Sequence, residues 1–584
     1  MPSRFFVFIL WTLIISAQSM YSKRAKYSEK LGVDVPANKR FRYNIQDVFL
    51  ANELPATRVA SLMADADDGG TAHMDDLAKI AKKSSSKNVS RDLLRRLVKK
   101  SKWPRPYMVH VRVWDLKSQQ EKRVLLPVLL PHEILQAIVA KNGNTSLVSQ
   151  SGLSGVSKEN LRKAAGELNW NPLDVVACGL WGDGVPMNWD RSQSADVFTL
   201  NLPGLSEQHR NLRIPLAAIN HKFVIREKTY DDILEAVSWS FQSLAAGQMP
   251  FRRHDNRAWL QSDSRRAKKQ GQSLTFKAAL VEIRGDWKYY KDCFRFPQHN
   301  EARGCCWMCN VLPSGIKSCG STAPWRAHRL SHWQVLTRLR EQGKTISTLF
   351  QTPGLRTSMF LVDWLHCCDQ GIAADFLGNL FATITKKSPG STKESCKDLF
   401  LELQAFYKAN KATSRLDNLT PTMVQKNGNS VPKLRGKAGE IRALIPFALE
   451  SAERHLDARD PFESTIIEAA RQLNSCYSCL SGDAYSHAAL KECCRRYCLL
   501  SVSLDETSAA QDSIFWRLKP KIHLFQELCE MAASNPSMTW VYRDEDVGGS
   551  LAGLARRRGG HNTPAAIGFT VLNKFRASYA VPSL

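Results

Sequence analysis

The stretch LDVVACGLWGDGVPMNWD, residues 173–190, decides how the fold is interpreted. Its first part, LDVVACGLW, is a short and mostly apolar run, which predicts a buried strand over residues 173–181. Asp183 follows that run almost directly, and Gly184 comes next. Because Asp-Gly after a strand is also a common turn signal, Asp183 has two interpretations, a turn residue or an acid placed at a strand end. The elements that follow decide between them.

The order of those elements is informative. The segments DVFTLNLPG (196–204) and LRIPLAAINHKFVI (212–225) predict two more strands, and YDDILEAVSWSFQSLAAG (230–247) predicts an amphipathic helix. LTFKAALVEIRGD (274–286) then predicts a fourth strand that ends in Asp286. Three strands, a helix and a fourth strand are the order of a ribonuclease H-like sheet. We therefore expect an α/β fold with a mixed ribonuclease H-like sheet as its core.

In such a sheet, the two aspartates would lie on neighbouring central strands. Carboxylates that meet at one edge of a sheet can hold divalent cations, which activate water or a hydroxyl group against a phosphodiester. The simpler interpretation of Asp286 is that it caps the aromatic helix that follows RGD. Taken together, in this order and on a basic chain, Asp183 and Asp286 favour a catalytic metal site.

The composition supports a polyanionic partner. The chain has 584 residues with 81 Lys and Arg against 55 Asp and Glu, a formal net charge of +26. A surface of this kind neutralises many phosphates and releases their counterions, which favours nucleic acid; an inert basic surface is the alternative. The 15 cysteines are dispersed rather than set in a dense secreted-scaffold pattern, which favours free thiols with a few metal ligands.

The N-terminus gives a conflicting signal. MPSRFFVFILWTLIISAQS has the layout of a signal peptide, and its apolar run is too short for a stable membrane span. We therefore assign residues 1–21 to a signal-like leader and 22–105 to a basic arm, either helical or partly disordered. Three sequons begin at Asn88, Asn144 and Asn418, a number that a chain of this length contains by chance.

A cysteine pair follows the second aspartate. RGCCWMCN supplies Cys306 and Cys309, about 20 residues past Asp286, and Cys305 and Cys319 lie nearby. Two thiolates at this spacing can share one zinc ion, which then needs two more ligands. Redox pairing or simple burial are the alternatives. Farther on, Asp363 and His366 in MFLVDWLHCCDQG form a second pair that either binds metal or is part of the core.

These strings together resemble the DDE transposases of cut-and-paste DNA elements, most closely the CACTA (En/Spm) type. GLWGDGVPMNW is similar to the family's first-acid string, RGCCWMCN to its Cys-x-x-Cys, and LVDWLHCCDQG to its Asp-x-x-His string. The closing segment WRLKPKIHLFQELCEMAASNPSMTWVYRDEDVGGSLAGL, 516–554, is similar to a histidine-bearing helix followed by an acid. The likeness covers residues 170 to 555 and is carried by short strings.

The resemblance implies a set of site residues. The catalytic triad would be Asp183, Asp286 and Glu545, holding two Mg²⁺ or Mn²⁺ ions, with Glu440 as a rival for the third acid. His523 would join Cys306 and Cys309 at a structural Zn²⁺. The histidine that related recombinases place five residues later is Leu528 here. The fourth ligand is therefore open, with His366 and Cys529 as candidates.

The resemblance also implies a function: cleavage and joining of double-stranded DNA at transposon ends by a nuclear homo-oligomer. Two other interpretations stay open, an inactive transposon-derived DNA-binding protein and a secreted cysteine-containing protein. No Walker A loop, strand-linked G-x-G-x-x-G, G-x-S-x-G elbow or H-E-x-x-H occurs in the sequence. The basic clusters FRRHDNR (251–257), SRRAKK (264–269) and ARRRGG (555–560) are candidate phosphate contacts or solvated surface.

The domain organisation follows from these assignments. Roughly 260 residues separate Asp286 from Glu545, and the segments 399–409, 438–456 and 464–480 have helical periodicity. We therefore expect a large, mainly helical insertion. The predicted units are a β-rich strand-strand-helix module at 106–165 (strands YMVHVRVWD and KRVLLPVLL, helix PHEILQAIVAKNG), core at 166–290, zinc knuckle and helical insertion at 291–510, and core completion at 511–584.

Overall fold

The computed structural model describes residues 40–81, 88–144, 146–188, 190–206, 212–481, 485–556 and 563–584. The signal-like leader at 1–21 lies outside the described residues. So do the start of the basic arm, residues 82–87 and most of the ARRRGG cluster.

The described strands and helices form a mixed α/β protein. The strands are β1 Tyr107–Asp115, β2 Gln120–Val128, β3 Val175–Pro186, β4 Ser194–Asn201, β5 Arg213–Asn220 and β6 Lys277–Arg284. The helices up to the cysteine knuckle are α1 Arg40–Leu50, α2 Ala56–Asp68, α3 Asp75–Ala81, α4 Val89–Lys99, α5 Pro131–Asn142, α6 Gly155–Glu167, α7 Lys228–Ala246, α8 Ser264–Ala267 and α9 Trp287–Phe294.

The helices of the second half are more numerous and longer. They are α10 Pro324–Ala327, α11 His332–Glu341, α12 Ala374–Lys387, α13 Thr392–Ala409, α14 Pro421–Val424, α15 Ala438–Ala443, α16 Ile445–His455, α17 Pro461–Ser478, α18 His487–Ala510, α19 Lys521–Met531, α20 Tyr542–Ala555 and α21 Ala566–Ser578. A π-helix, Leu365–Ala373, leads into α12. None of the described helices combines the length and the apolar character needed to cross a membrane.

A four-stranded sheet forms the centre of the molecule, in the order β5-β4-β3-β6. β3 pairs antiparallel with β4, β4 pairs antiparallel with β5, and β3 pairs parallel with β6. The four predicted strands are present, but β6 ends at Arg284 and not at Asp286 as expected. The continuous burial of β4 and β5 explains why their sequences do not alternate strictly between apolar and polar residues. Because β3 and β6 are parallel neighbours, their carboxyl ends reach the same edge of the sheet.

The Asp183-Gly184 pair is not a turn. β3 continues to Pro186, and Asp183 lies opposite Val197 while Gly184 lies opposite Asp196 in the ladder with β4. Pairing with a neighbouring strand therefore outweighs the local turn tendency of Asp-Gly. The expected end of the strand at residue 181 was too early, and Asp183 belongs to the strand itself.

The chain leaves β6 and returns beside it after the cysteine knuckle. The Leu361 N–H donates to the Ile283 carbonyl at 3.1 Å, and Ile283 forms an isolated parallel bridge with Phe360. This single bridge lies at the free edge of β6. It brings the segment just before Asp363 to the edge of the sheet where Asp286 follows β6.

The described part of the basic arm is helical, one of the two forms expected for it. α1–α4 bury apolar side chains, including Val59, Met63 and Leu93, that belong to the same hydrophobic core as the central sheet. The predicted strand pair follows as the antiparallel hairpin β1-β2, and the helix predicted after it is α5. The Leu129 N–H donates to the Leu216 carbonyl of β5 at 2.8 Å, which joins this N-terminal part to the sheet.

Candidate active site and metal centre

Asp183 lies on β3, near the edge of the sheet where β6 ends. Its side chain is half-buried, and its Oδ1 accepts a 2.7 Å hydrogen bond from the Gly184 N–H. Burial and the neighbouring charge of Asp286 raise the pKa of Asp183 to about 6. Because a nearby negative charge has this effect only at short range, Asp183 and Asp286 belong to one electrostatic site.

Asp286 is the N-cap of α9. Its Oδ1 accepts a 2.6 Å hydrogen bond from the Tyr289 N–H, so the capping role foreseen for it is present. This position also puts its carboxylate between two cavities. One is lined by Asp183 as well, and the other by Asp363 and His366. Asp286 can therefore cap α9 and also contribute its carboxylate to the candidate active site.

Glycine precedes each of these two aspartates, and both glycines contact the same ring. A Cβ on Gly182 would lie 2.3 Å from Tyr289 Cε2, and a Cβ on Gly285 would lie 2.3 Å from Tyr289 Cδ1. Tyr289 is buried. It packs between the ends of β3 and β6 only because both positions lack a side chain. The glycine before Asp183 and the glycine before Asp286 are therefore both required by the packing of Tyr289.

Glu545 lies in the first turn of α20, which is attached to the sheet by a buried ion-pair network. Asp544 is fully buried and accepts hydrogen bonds from Arg213 at the start of β5 and from Arg284 at the end of β6, the latter at 3.3 Å. Gly548, one turn later, packs against Trp181 of β3. These contacts bring Glu545 to the edge that carries Asp183.

His366 completes this cluster. Asp363 Oδ2 accepts hydrogen bonds from His366 Nδ1 and from the His366 backbone N–H, both at 2.8 Å. The second carboxylate oxygen of Asp363 accepts from the Val541 N–H at 3.0 Å, directly before α20. With Nδ1 occupied in this way, His366 Nε2 lies 3.7 Å from Glu545 Oε1. Asp363 thus aligns His366 with the helix that carries Glu545.

The ligand atoms of Asp183, His366 and Glu545 all lie within 4.8 Å of one another. Burial and the charge of Asp183 raise the pKa of Glu545 to about 8. Burial alone would lower the pKa of His366, but the hydrogen bond and charge of Asp363 outweigh it and raise the pKa to about 9. Glu545 Oε1 is buried and has no hydrogen-bond partner. An acceptor left without a donor, between carboxylates that repel each other, fits a bound cation.

Glu440, the rival third acid, is engaged elsewhere. Its carboxylate accepts from the Lys437 N–H at 2.8 Å and pairs with the Lys437 ammonium at 3.0 Å, at the start of α15. It is not part of the group formed by Asp183, His366 and Glu545. Of the two candidates that the sequence offered, the structure brings Glu545 and not Glu440 to Asp183.

A second group of metal-ligating side chains forms around the cysteine pair. The ligand atoms of Cys306, Cys309, His523 and Glu527 lie within 4.8 Å of one another, and all four residues are buried. Cys309 Sγ is 3.3 Å from His523 Nε2, and Cys306 Sγ is 3.6 Å from Glu527 Oε1. Two thiols, an imidazole and a carboxylate form a closed set of four, the number typical of a structural zinc site.

The surroundings of this group hold the ligands in place. The Met308 N–H donates to Cys306 Sγ at 3.3 Å, and Arg338 donates to the backbone carbonyls of Cys306 and Cys309. On the opposite side, Arg329 pairs with the second carboxylate oxygen of Glu527. Such outer contacts fix the orientation of metal ligands.

The fourth side chain of this group belongs to Glu527, which was not among the expected candidates for the fourth ligand. His366 lies with Glu545 and Asp183 instead, and Cys529 lies beside Cys494 in the helical part. Glu527 follows His523 by four residues on α19, so the two side chains share one face of the helix. The H-x-x-x-E spacing was the available signal, and the search for a second histidine at position 528 missed it.

The remaining cysteines of the knuckle are near the group but not in it. Cys305 Sγ donates to the Val311 carbonyl at 3.3 Å, and Cys319 Sγ accepts from Gln526 Nε2 at 3.2 Å. All 15 cysteines are free thiols in the structure. The geometry therefore separates Cys306 and Cys309, which could ligate a metal, from neighbouring cysteines with other contacts.

Comparison with known proteins does not assign this chain to a family. No protein-family model matches the chain, and no curated protein matches it. The two side-chain clusters are therefore the features of this chain that indicate a function.

Proposed function

We propose that this chain is a DDE-type nuclease and strand transferase that cleaves and joins phosphodiesters in double-stranded DNA, built on a ribonuclease H-like core. The observation that carries the proposal is the convergence of Asp183 with Glu545 and His366. These residues come from β3, α20 and the π-helix, with Asp286 at the end of the parallel neighbour strand. Residues so far apart in sequence meet at one sheet edge.

The arrangement of the sheet supports the core assignment. Three antiparallel strands in the order β5-β4-β3, with β6 parallel beside β3, correspond to the strand order expected of a ribonuclease H-like sheet. The bridge between Ile283 and Phe360 adds a short parallel pairing at the edge of β6. In this proposal, the long helical part between β6 and α20 is an insertion that leaves the sheet and returns to it.

Each acidic side chain has a role in the proposed site. Asp183, Asp286 and Glu545 would hold two Mg²⁺ or Mn²⁺ ions, and His366 Nε2 offers an additional nitrogen ligand. When bound, such a pair of cations activates water or a DNA 3′-hydroxyl and stabilises the leaving oxygen. Asp363 is a positioning residue, because it fixes His366 and the start of α20 together. The second cluster would hold a structural Zn²⁺.

The test is Mn²⁺-dependent nicking of supercoiled plasmid DNA by the full chain. We expect Asp183→Asn, Asp286→Asn and Glu545→Gln each to lower the nicking rate by at least about 100-fold, while DNA binding persists. Asp398→Asn is the matched control, because Asp398 is an exposed aspartate on α13. Equal rates in the parent and in all three acid variants would refute the proposed triad.

Binding without nicking by the parent would identify the inactive DNA-binding alternative. The proposal also includes a nuclear homo-oligomer, because joining two transposon ends requires two active sites on chromosomal DNA. Light scattering of the DNA complex tests the oligomer, and microscopy of the full chain tests the compartment. Secretion, with disulfides and a cleaved leader, would contradict the proposal.

A further inference from the structure

A wide groove lies away from the acid cluster. It encloses about 1110 Å³ and is lined by α4, the segment after it, α5, the 262–269 segment and α21. Asp183, Asp286, His366 and Glu545 do not contribute to its lining. The groove is therefore a separate surface of the molecule.

The lining of this groove is strongly basic. It contains nine arginine and lysine side chains against two acidic ones, Glu133 and Asp263. Both acids are already paired with Arg266, at 2.8 Å each. Six exposed basic side chains of the groove form no ion pair among the described residues: Arg95, Lys99, Lys102, Arg105, Arg265 and Lys269.

Arg576 on α21 adds a buried charge to this surface. It is 6% exposed, its Nε has no hydrogen-bond partner, and one Nη donates to Asn573 Oδ1 at 3.2 Å. Burial and the neighbouring charge of Arg105 lower the pKa of Arg576 to about 10. Two guanidinium groups that repel each other, without an acid between them, are stabilised when an anion binds there.

Two basic segments that are far apart in sequence meet in this groove. One is the 88–106 part of KIAKKSSSKNVSRDLLRRLVKKSKWPRP, and the other is SRRAKK at 264–269. The third described basic cluster behaves differently, because Arg253 of FRRHDNR is buried and pairs with Asp263 at 3.0 Å. Arg253 of FRRHDNR therefore has a structural role, whereas the other two basic segments share a concave surface.

We propose that this groove binds the phosphate backbone of duplex DNA, at a site separate from the acid cluster. Exposed basic side chains along a concave surface neutralise successive phosphates of a linear polyanion. A flat anionic membrane cannot enter a groove in this way. Phe569, 40% exposed on the same surface, offers apolar contact to a sugar or base edge. The choice of DNA as the polyanion rests on the proposed function.

The site is tested by fluorescence anisotropy with a labelled 30-base-pair duplex, using the full chain without added Mg²⁺ or Mn²⁺. The variant carries Arg95→Glu, Lys99→Glu and Arg265→Glu, all at exposed positions. We expect its affinity at 0.1 M salt to fall by about 30-fold or more. We also expect the slope of log affinity against log salt to shrink by about 3.

The matched control is Lys393→Glu, Lys397→Glu and Lys408→Glu, three exposed positions on α13 outside the groove. It changes the net charge by the same amount, and we expect its affinity to stay within about 3-fold of the parent. Equal losses in both triple variants, or no loss in either, would overturn the site. So would groove-dependent binding to vesicles of 30% phosphatidylserine in phosphatidylcholine without groove-dependent binding to DNA.

Nicking and DNA-binding assays of the parent and of the groove variant distinguish a failure of the groove site from a failure of the proposed catalytic function. If the acid cluster is not catalytic, the parent fails to nick plasmid but still binds DNA through the groove. If the groove inference is wrong, the parent nicks plasmid while the groove variant binds DNA as tightly as the parent does. The two failures therefore give different results.

Discussion

Gly182 and Gly285 determine how closely β3 and β6 approach Tyr289. Neither residue has a Cβ, and a Cβ at either position would lie 2.3 Å from the buried Tyr289 ring. The aspartates that follow them are thereby held by a packed aromatic side chain rather than by a loop. A site that needs carboxylates at fixed separation benefits from this rigidity.

Replacement of Gly182 by alanine is expected to destabilise the protein by about 1 to 3 kcal/mol, because the added methyl group overpacks against Tyr289. The measurement is urea unfolding followed by tryptophan fluorescence. Gly549→Ala is the control, since a Cβ there meets nothing within 4 Å and the residue lies inside α20. That control should be stabilised by about 0.5 to 1 kcal/mol. Equal stabilities of Gly182→Ala and parent would show that Tyr289 moves freely.

Zinc binding is predicted to depend on four side chains, those of Cys306, Cys309, His523 and Glu527, and not on the other cysteines. We expect about one zinc per parent chain, and loss of most of it in Cys306→Ser and in Glu527→Gln, because each substitution removes one of four ligands. The measurement is metal content by mass spectrometry together with the thermal unfolding temperature. Cys305→Ser is the control, since that thiol donates to the Val311 carbonyl instead. Retention of zinc by Cys306→Ser would rule out the assigned ligand set.

Helices α5 and α7 meet at a buried histidine. His132 Nδ1 lies 2.8 Å from Ser240 Oγ, the His132 backbone N–H donates to the same oxygen at 3.0 Å, and the ring stands edge-on to Trp239. Burial lowers the pKa of His132 to about 4. Its cationic form has no carboxylate partner in the described contacts, so burial favours the neutral ring at this contact between helices.

The stability of this helix pair is therefore predicted to depend on pH. Between pH 6.5 and 4 the unfolded chain binds a proton at His132 and the folded chain does not. The contribution of His132 is complete above pH 6.5 and is lost as pH falls toward 4, by about 3 kcal/mol. Urea unfolding of the parent and of His132→Gln at pH 7, 6, 5 and 4 measures the difference. A constant difference between the two proteins at all four values would contradict this pKa.

Helix α20 shows how an element distant in sequence is brought to a site. The buried Asp544 pairs with Arg213 and Arg284, which lie on the two outer strands β5 and β6. The next residue, Glu545, is thereby directed toward Asp183. Buried ion pairs contribute little net stability, yet they disfavour other placements of the helix because an unpaired buried charge is costly. The ion pairs of Asp544 with Arg213 and Arg284 therefore specify where α20 lies on the sheet.

The sequence predicted much of the sheet and less of the sites. Continuous apolar runs identified β3, which carries Asp183, and β6, which ends two residues before Asp286, since burial on both faces leaves a local signal. Position 183 within β3 was misjudged, because pairing with β4 is not local. Glu545 was proposed by resemblance alone. Glu527 was overlooked because the resemblance pointed to position 528, although its spacing of four residues from His523 is visible in the sequence. The basic groove was not predictable, because its segments meet only in the folded chain.

The two ends of the described chain pack together. Trp103 Nε1 donates to the Tyr579 carbonyl at 2.8 Å, and Asn142 Nδ2 donates to the Pro582 carbonyl at 3.0 Å. α21 lies on β5 and contacts α4 and β2, with Phe575 packed against Trp103 at a ring separation of 5.5 Å. The C-terminal helix thus connects the N-terminal helices to the central sheet and forms one wall of the groove.

Phe575→Ala is accordingly predicted to loosen a region that is remote in sequence. Phe575 is 2% exposed, so its truncation should cost about 3 to 5 kcal/mol. Hydrogen exchange should accelerate in β2, β5 and α4, since these elements pack on α21. Phe569→Ala on the same helix is the control, because that ring is 40% exposed and its loss should change stability by less than about 0.5 kcal/mol. If exchange in Phe575→Ala rose only within α21, the N-terminal helices would be folding independently of the C-terminal helix, and the groove between them would not be a fixed surface.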